Sequence, residues 1–173
     1  MVNLEKKYAQ LDPVWDRLRN EAEDAVIAEP GIGGFIHTNI LQHSSFENAL
    51  AHRVASKLAS AEISEQNLRD ICSKAISNDP HVANAARADV MAVVDRDPAC
   101  NRYMQPLLYF KGFLAVQAYR VSNWLWNNSQ RDMAYFFQMR TSEVFGIDIH
   151  PAAKIGKGLM IDHAHSIVIG ETS

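Results

Sequence analysis

Residue types able to move protons gather near the carboxyl end of the chain. Asp148-Ile149-His150-Pro151 is followed by Asp162-His163 and, two positions on, by His165. An imidazole beside a carboxylate is a natural acid–base pair near neutral pH, because one ring nitrogen takes a proton while the acid holds the other. The same histidines can also be read as metal ligands, with His163 and His165 on one face and His150 as a third donor. Their spacing fits no established ligand pattern, so no metal is expected. Each residue also has a plainer reading. Asp97 before Pro98 can be only a turn or helix cap, Asp148 after Gly146 a turn residue, Asp162 a solvated position and His163 a loop histidine.

The elements that hold these groups divide into two kinds. Up to about residue 145 the punctuation is helical. Asp12-Pro13 and Asp79-Pro80 each offer an N-cap Asp followed by Pro at the first helical position. Ser44 with Glu47 has the capping-box spacing, and Ser64 opens a run through Leu68, Ile71, Cys72, Ala75 and Ile76. Pro106 to Trp126 is apolar nearly all round and predicts one helix buried in a core or subunit interface. Asp132 to Phe145 completes six or seven helices.

The period then changes. Ile149, Ile155, Ile161 and Ile167 recur every sixth residue among Gly156, Gly158 and Gly170, the pattern of a hexapeptide parallel β-helix with the branched residue pointing inward. On that pattern His163 lies near a corner, two residues after an inward Ile161. Three hexads make a coil of eighteen residues, so Asp148 and His163, fifteen apart, fall almost one coil from each other. The expected class is α + β. Residues 1–145 form an all-α helical domain and 146–173 the first, incomplete coil of a β-helix.

Composition excludes several classes. The 173 residues include 17 Lys or Arg against 20 Asp or Glu, a net charge of −3 that supplies no basic field for nucleic acid. Lys111, Gln117 and Arg120 interrupt the longest apolar stretch, so no membrane span is expected. Glu5, Lys6 and Lys7 leave no room for the apolar core of a secretory leader. Two cysteines, Cys72 and Cys100, are too few for a disulfide framework, and a reducing cytoplasm is the expected location.

Longer motifs carry a family resemblance. Gln105-Pro106-Leu107-Leu108-Tyr109-Phe110-Lys111-Gly112-Phe113, then Gln117-Ala118-Tyr119-Arg120 and Trp124-Leu125-Trp126, resemble the signature helix of bacterial serine acetyltransferases. So do Asp148 through Gly158, Asp162-His163-Ala164, Ile167 through Thr172, and Asp95-Arg96-Asp97-Pro98-Ala99. The resemblance implies a left-handed β-helix and acetyl transfer from acetyl-CoA to the hydroxyl of L-serine, giving O-acetylserine on the way to cysteine. By position it implies His163 as the catalytic base and Asp148 as its dyad partner, with Asp97 and Asp162 holding the serine ammonium group. It further implies inhibition by L-cysteine, a trimer or dimer of trimers with the site between neighbouring β-helices, and docking to O-acetylserine sulfhydrylase through a later tail.

Two departures stand out. Where the family usually has Thr-Gly after Asp-His-Ala, this chain has His165-Ser166, which matters if that turn needs a positive φ. The later coils, which in the family carry the acetyl-CoA groove, an Arg-His pair and the docking tail, are not among these residues. The 173-residue chain alone is therefore expected to be weakly active or inactive. The alternatives are a non-catalytic oligomerisation fragment and a hexapeptide acyltransferase for a sugar or antibiotic.

Overall fold

In a computed structural model, residues 12–163 and 165–173 are described. The amino-terminal Glu5, Lys6 and Lys7, and Ala164 of the Asp-His-Ala motif, lie outside them. The described residues form eight α-helices followed by two short strands, so the expected α + β class holds. Helix α1 (Pro13–Ala28) starts where Asp12 accepts the Trp15 N–H, with Pro13 in the first turn. A 3₁₀ turn, Pro30–Ile32, leads into the short α2 (Gly33–Ile36) and a π-helical turn at His37–Leu41. Next come α3 (Phe46–Leu58), α4 (Glu65–Asn78) and α5 (Pro80–Arg96). Ser64 and Asp79 cap α4 and α5 as expected. The cap of α3 is Ser45, which accepts the Asn48 N–H, one residue later than the Ser44–Glu47 spacing suggests; the Glu47 carboxylate instead receives Arg87 at 2.6 Å.

The long apolar segment is two helices, not one. Helix α6 (Met104–Tyr109) stops at Phe110, whose backbone is extended (φ −96°, ψ 108°), and α7 (Lys111–Asn127) begins at once. The carbonyls stranded by this break need donors. Buried Arg53 of α3 supplies them, with Nε 3.2 Å from Leu107 O and Nη2 2.6 Å from Leu108 O. Pro106 sits in the first turn of α6, where its missing N–H leaves no helical bond unmade.

Helix α7 is buried from Gly112 through Ser122 and forms the centre of the molecule, as its all-round apolar character predicts. Helices α3 and α4 pack along one another, and α8 (Arg131–Phe145) packs along α7. Leu18, Phe46, Leu58, Leu68 and Phe137 are fully buried in the common core. Each stabilises the fold by about 1.5–3 kcal/mol in hydrophobic transfer.

Gly146 ends α8 in the left-handed conformation (φ 71°) and turns the chain into β1 (Ile147–Ile149). Strand β1 pairs in parallel with β2 (Ile167–Ile169), Ile147 opposite Ile167 and Ile149 opposite Ile169. Paired residues are thus 20 apart, not the eighteen of three hexads, and Ile149 faces Ile169 rather than Ile167. The turn between the strands has left-handed backbone at Gly158 (φ 76°), His163 (φ 39°) and Ser166 (φ 59°). Ile147 and Ile149 are buried; Ile155, Ile161, Ile167 and Ile169 pack half-buried against the helical core.

Some of the coil's backbone groups pair within the coil, as His150 N–H does with Ile169 O at 2.9 Å, and side chains of α5 and α7 take others. Asn123 donates to Pro151 O at 2.7 Å, and the Tyr119 hydroxyl to Ala153 O. Arg120 Nη2 reaches Gly156 O at 2.9 Å and Arg96 Nη1 reaches Gly158 O at 2.7 Å. Asp89, fully buried, accepts the Leu159 N–H through Oδ1 at 2.8 Å. Its Oδ2 receives Gln117 Nε2, Arg120 Nε and Arg120 Nη2 at 2.9, 3.0 and 2.7 Å. One carboxylate thereby joins α5, α7 and the turn.

Candidate active site

Three of the four candidate residues line one cavity of about 460 Å³, between the end of α5, the start of α7 and the turn before β2: Asp97, Asp162 and His163. Asp97 is buried at the carboxyl cap of α5, where Pro98 ends the helix. Its Oδ1 accepts the Ala99 N–H at 2.8 Å, so the turn reading of Asp97 holds alongside its place in the cavity wall. His163 is largely exposed, its side chain 87 % accessible, and Nε2 lies 3.4 Å from Asp162 Oδ1.

Asp148, the fourth, lies elsewhere. It projects from β1 between buried Ile147 and Ile149 and accepts from Gln138 Nε2 at 2.6 Å. It lines a neighbouring depression of about 430 Å³ together with His165 and Ser166. Lys111 borders both depressions. Among the hydrogen bonds and ion pairs of the described residues, none joins Asp148 to His163.

The wall holds residues that the sequence assigns to the core or passes over. Tyr109, Phe113, Trp124 and Trp126 all fall in the apolar run from Pro106 to Trp126 that predicts burial. Phe113 and Trp124 are buried, but Tyr109 is 46 % exposed and lines the cavity, its ring stacked 6.2 Å from Phe35. Phe110, Lys111 and Gly112 line it as well. The one local signal for them is Lys-Gly interrupting an apolar run, which marks the point where α7 begins.

The histidines do not converge. His150 meets the Trp126 ring edge-on at 5.2 Å, and its Nδ1 accepts the Ala152 N–H at 3.1 Å. His163 and His165 line different depressions. Among the described residues no group of three or more His, Cys, Asp or Glu is placed to hold a metal ion. No helix among them is long and apolar enough to cross a membrane.

The cavity's charges suit a small cation. Two carboxylates, Asp97 and Asp162, face one lysine, Lys111, and charge-assisted hydrogen bonds from an ammonium group to a carboxylate are short and strong. The amino terminus of α7 opens into the same space and offsets part of the carboxylates' mutual repulsion. An exposed imidazole at the rim is positioned to exchange protons with a bound hydroxyl.

Known proteins share this chain's sequence and architecture. The family model for the serine acetyltransferase N-terminal region matches residues 14–118. The serine acetyltransferase of Escherichia coli K12 is 43% identical over 164 residues, covering 95% of this chain and 60% of that protein. The crystal structure of serine acetyltransferase from Brucella abortus strain S19 with coenzyme A superposes with a TM-score of 0.92 at 42% identity, covering 95% of this chain and 66% of that one. A serine acetyltransferase in complex with cysteine gives a TM-score of 0.90 at 43% identity, covering 92% and 66%. The chain thus spans about 60% of the length of its E. coli relative. With the matched region, the extended identity and the shared architecture in agreement, the chain belongs to the serine acetyltransferase family.

Proposed function

We propose that this chain supplies the acceptor half of a serine O-acetyltransferase, which moves the acetyl group of acetyl-CoA to the L-serine hydroxyl and releases O-acetylserine and CoA. The observation that carries the reading is the meeting of Asp97, Asp162 and His163 around one cavity in a chain of this family. Asp97 and Asp162 hold the serine ammonium. His163 takes the hydroxyl proton as the oxygen attacks the thioester carbonyl, because a serine hydroxyl is a poor nucleophile at neutral pH. The imidazolium then returns that proton to the departing thiolate. Asp148 orients the imidazole and stabilises its charge, as carboxylates do in catalytic triads. Pairing them requires the exposed His163 side chain to turn from Asp162 toward the Asp148 depression.

The same reading divides the chain at residue 145, takes the paired strands as the first coil of a left-handed hexapeptide β-helix, and sets the enzyme in the cytoplasm as a trimer or dimer of trimers. Acetyl-CoA is a co-substrate and L-cysteine a feedback ligand, supported by the relatives bound to coenzyme A and to cysteine. The test is thiol release from acetyl-CoA and L-serine by the chain carried to the full length of its relatives. His163→Ala is expected to lower kcat by about 10²- to 10⁴-fold, the usual contribution of a general base. Near-normal kcat in that variant would remove His163 from the role, and acetylation of a sugar in place of serine would overturn the substrate.

One observation favours a second reading. Val168 of β2 is 78 % exposed and offers an apolar side chain for association. On this reading the 173 residues act as an oligomerisation module. Light scattering showing a discrete assembly that binds no acetyl-CoA supports it, whereas turnover by this chain alone eliminates it.

A further inference from the structure

The chain on either side of His163 rests on the helical body, and each resting point is a glycine. Ahead of it, the Ile161 carbonyl lies on the first turn of α7 at Gly112. A Cβ on residue 112 would come within 2.0 Å of Ile161 O and 3.0 Å of its carbonyl carbon. Backbone atoms cannot swing aside as a side-chain tip can, so any larger residue at 112 must push Ile161 away by more than an ångström. Behind it, the His165 imidazole lies on Gly146, where a Cβ would meet Nδ1 at 2.8 Å. The Ser166 N–H also donates to Gly146 O at 2.8 Å. Between these points His163 has left-handed backbone and a side chain whose one ion-pair contact is exposed Asp162 at 3.4 Å. Among the described residues the imidazole makes no other hydrogen bond or ion pair. Its location is set by the backbone contacts on both sides.

We propose that Gly112 and Gly146 are positioning residues for His163, bare seats that fix the turn carrying the imidazole against α7 and α8. The proposal rests on the reading of His163 as the base. It accounts for Lys-Gly at the start of α7 and for a glycine, already needed for the left-handed end of α8, lying under His165.

The test uses Gly112→Ala, Gly146→Ala and the double variant Gly146→Ala/His165→Ala, read by turnover and by the imidazole Cε1–Hε1 NMR resonances. Gly112→Ala is expected to shift the His163 resonance while those of His43 and His52, buried in the helical body, stay in place. In the full-length enzyme kcat falls about 10²-fold, as for a 1 Å misplacement of a reacting group, with KM for acetyl-CoA unchanged. Gly146→Ala shifts both His163 and His165, and removal of the His165 ring in the double variant returns His163 toward its original resonance. An unmoved His163 resonance in both single variants overturns the proposal, as does an equal loss in His43 and His52, which would mark general unfolding. A wild-type enzyme that transfers no acetyl group overturns the functional reading instead, and the resonances then still decide whether the glycines place His163.

Discussion

Ser166 shows how one residue bears on the site. Its backbone is left-handed (φ 59°) at the position where the resembled family carries glycine, so the strain suspected from the sequence is present. A side chain in that region costs about 1–2 kcal/mol, of which glycine's greater freedom in the unfolded chain offsets about 0.5–1. Ser166→Gly is therefore expected to raise stability by about 0.5–1 kcal/mol, read as a higher denaturant midpoint at constant slope. An unchanged or lower midpoint would show that the Ser166 contacts outweigh the strain. Asp97 carries a related lesson, because one side chain both closes the turn after α5 and faces the cavity. The sequence offers a turn residue or a ligand residue as alternatives for Asp97, and its turn bond leaves the side chain in the cavity wall where the proposed role needs it.

Among the elements, those signalled by neighbouring residues were legible and those set by distant ones were not. Asp12, Ser64 and Asp79 cap the helices that follow because a cap needs only residues three positions on. Lys111-Gly112 marks where α7 begins, but the carbonyls freed at the break are met by Arg53, more than fifty positions away, and no local pattern announces that partner. The six-residue spacing of isoleucines revealed a coil, yet its true offset of 20 depends on a turn seated on α7 and α8. Asp148, Asp162 and His163 stand out by residue type, and Asp97 and the four proposed roles come from the family motif; the division of the four between two depressions, and the place of Tyr109 in the cavity wall, emerge only from packing. At this scale Asp89 has the largest predicted effect. It is buried against Arg120, and removing one partner leaves the other charged and unpaired, which typically costs 3–5 kcal/mol. Asp89→Ala is expected to lose about that much in chemical denaturation. A loss below about 1 kcal/mol would show that the pair is not needed to hold α5, α7 and the turn together.

For the molecule as a whole, a pair of buried histidines away from the site contributes to acid sensitivity. His43 and His52 are buried with ring centroids 5.0 Å apart where the π-helical turn meets α3. Burial, then the neighbouring His52 charge, lowers the pKa of His43 against its bond to Thr38 O, with a smaller lowering effect from Arg69. Burial also lowers that of His52, against the pull of Glu65, 3.1 Å away, with Arg69 and Arg53 adding to the fall. Both groups start from an ordinary value of 6.5, so the unfolded chain holds their protons more tightly than the fold does. The resulting stability is fully present above about pH 6.5 and is lost as pH falls toward the folded values. Urea midpoints are expected to drop below that pH, and the double variant His43→Gln/His52→Gln to flatten the drop. An equally steep fall in the double variant would assign the acid sensitivity to other groups.

The side chains that α5 and α7 lend to the coil also impose an order of assembly. Leu159 N–H and Asp89 are 70 positions apart, and the coil's carbonyls depend on Tyr119, Arg120 and Asn123. Such distant pairings carry a loop-closure cost and form after local helices, so the helical body must dock before the coil has anything to close upon. The same dependence runs in reverse. A local opening of the coil is expected to release Asp162 and His163 while the helices stay folded, which makes the corner that bears them the last part of the molecule to be set and the first to be let go.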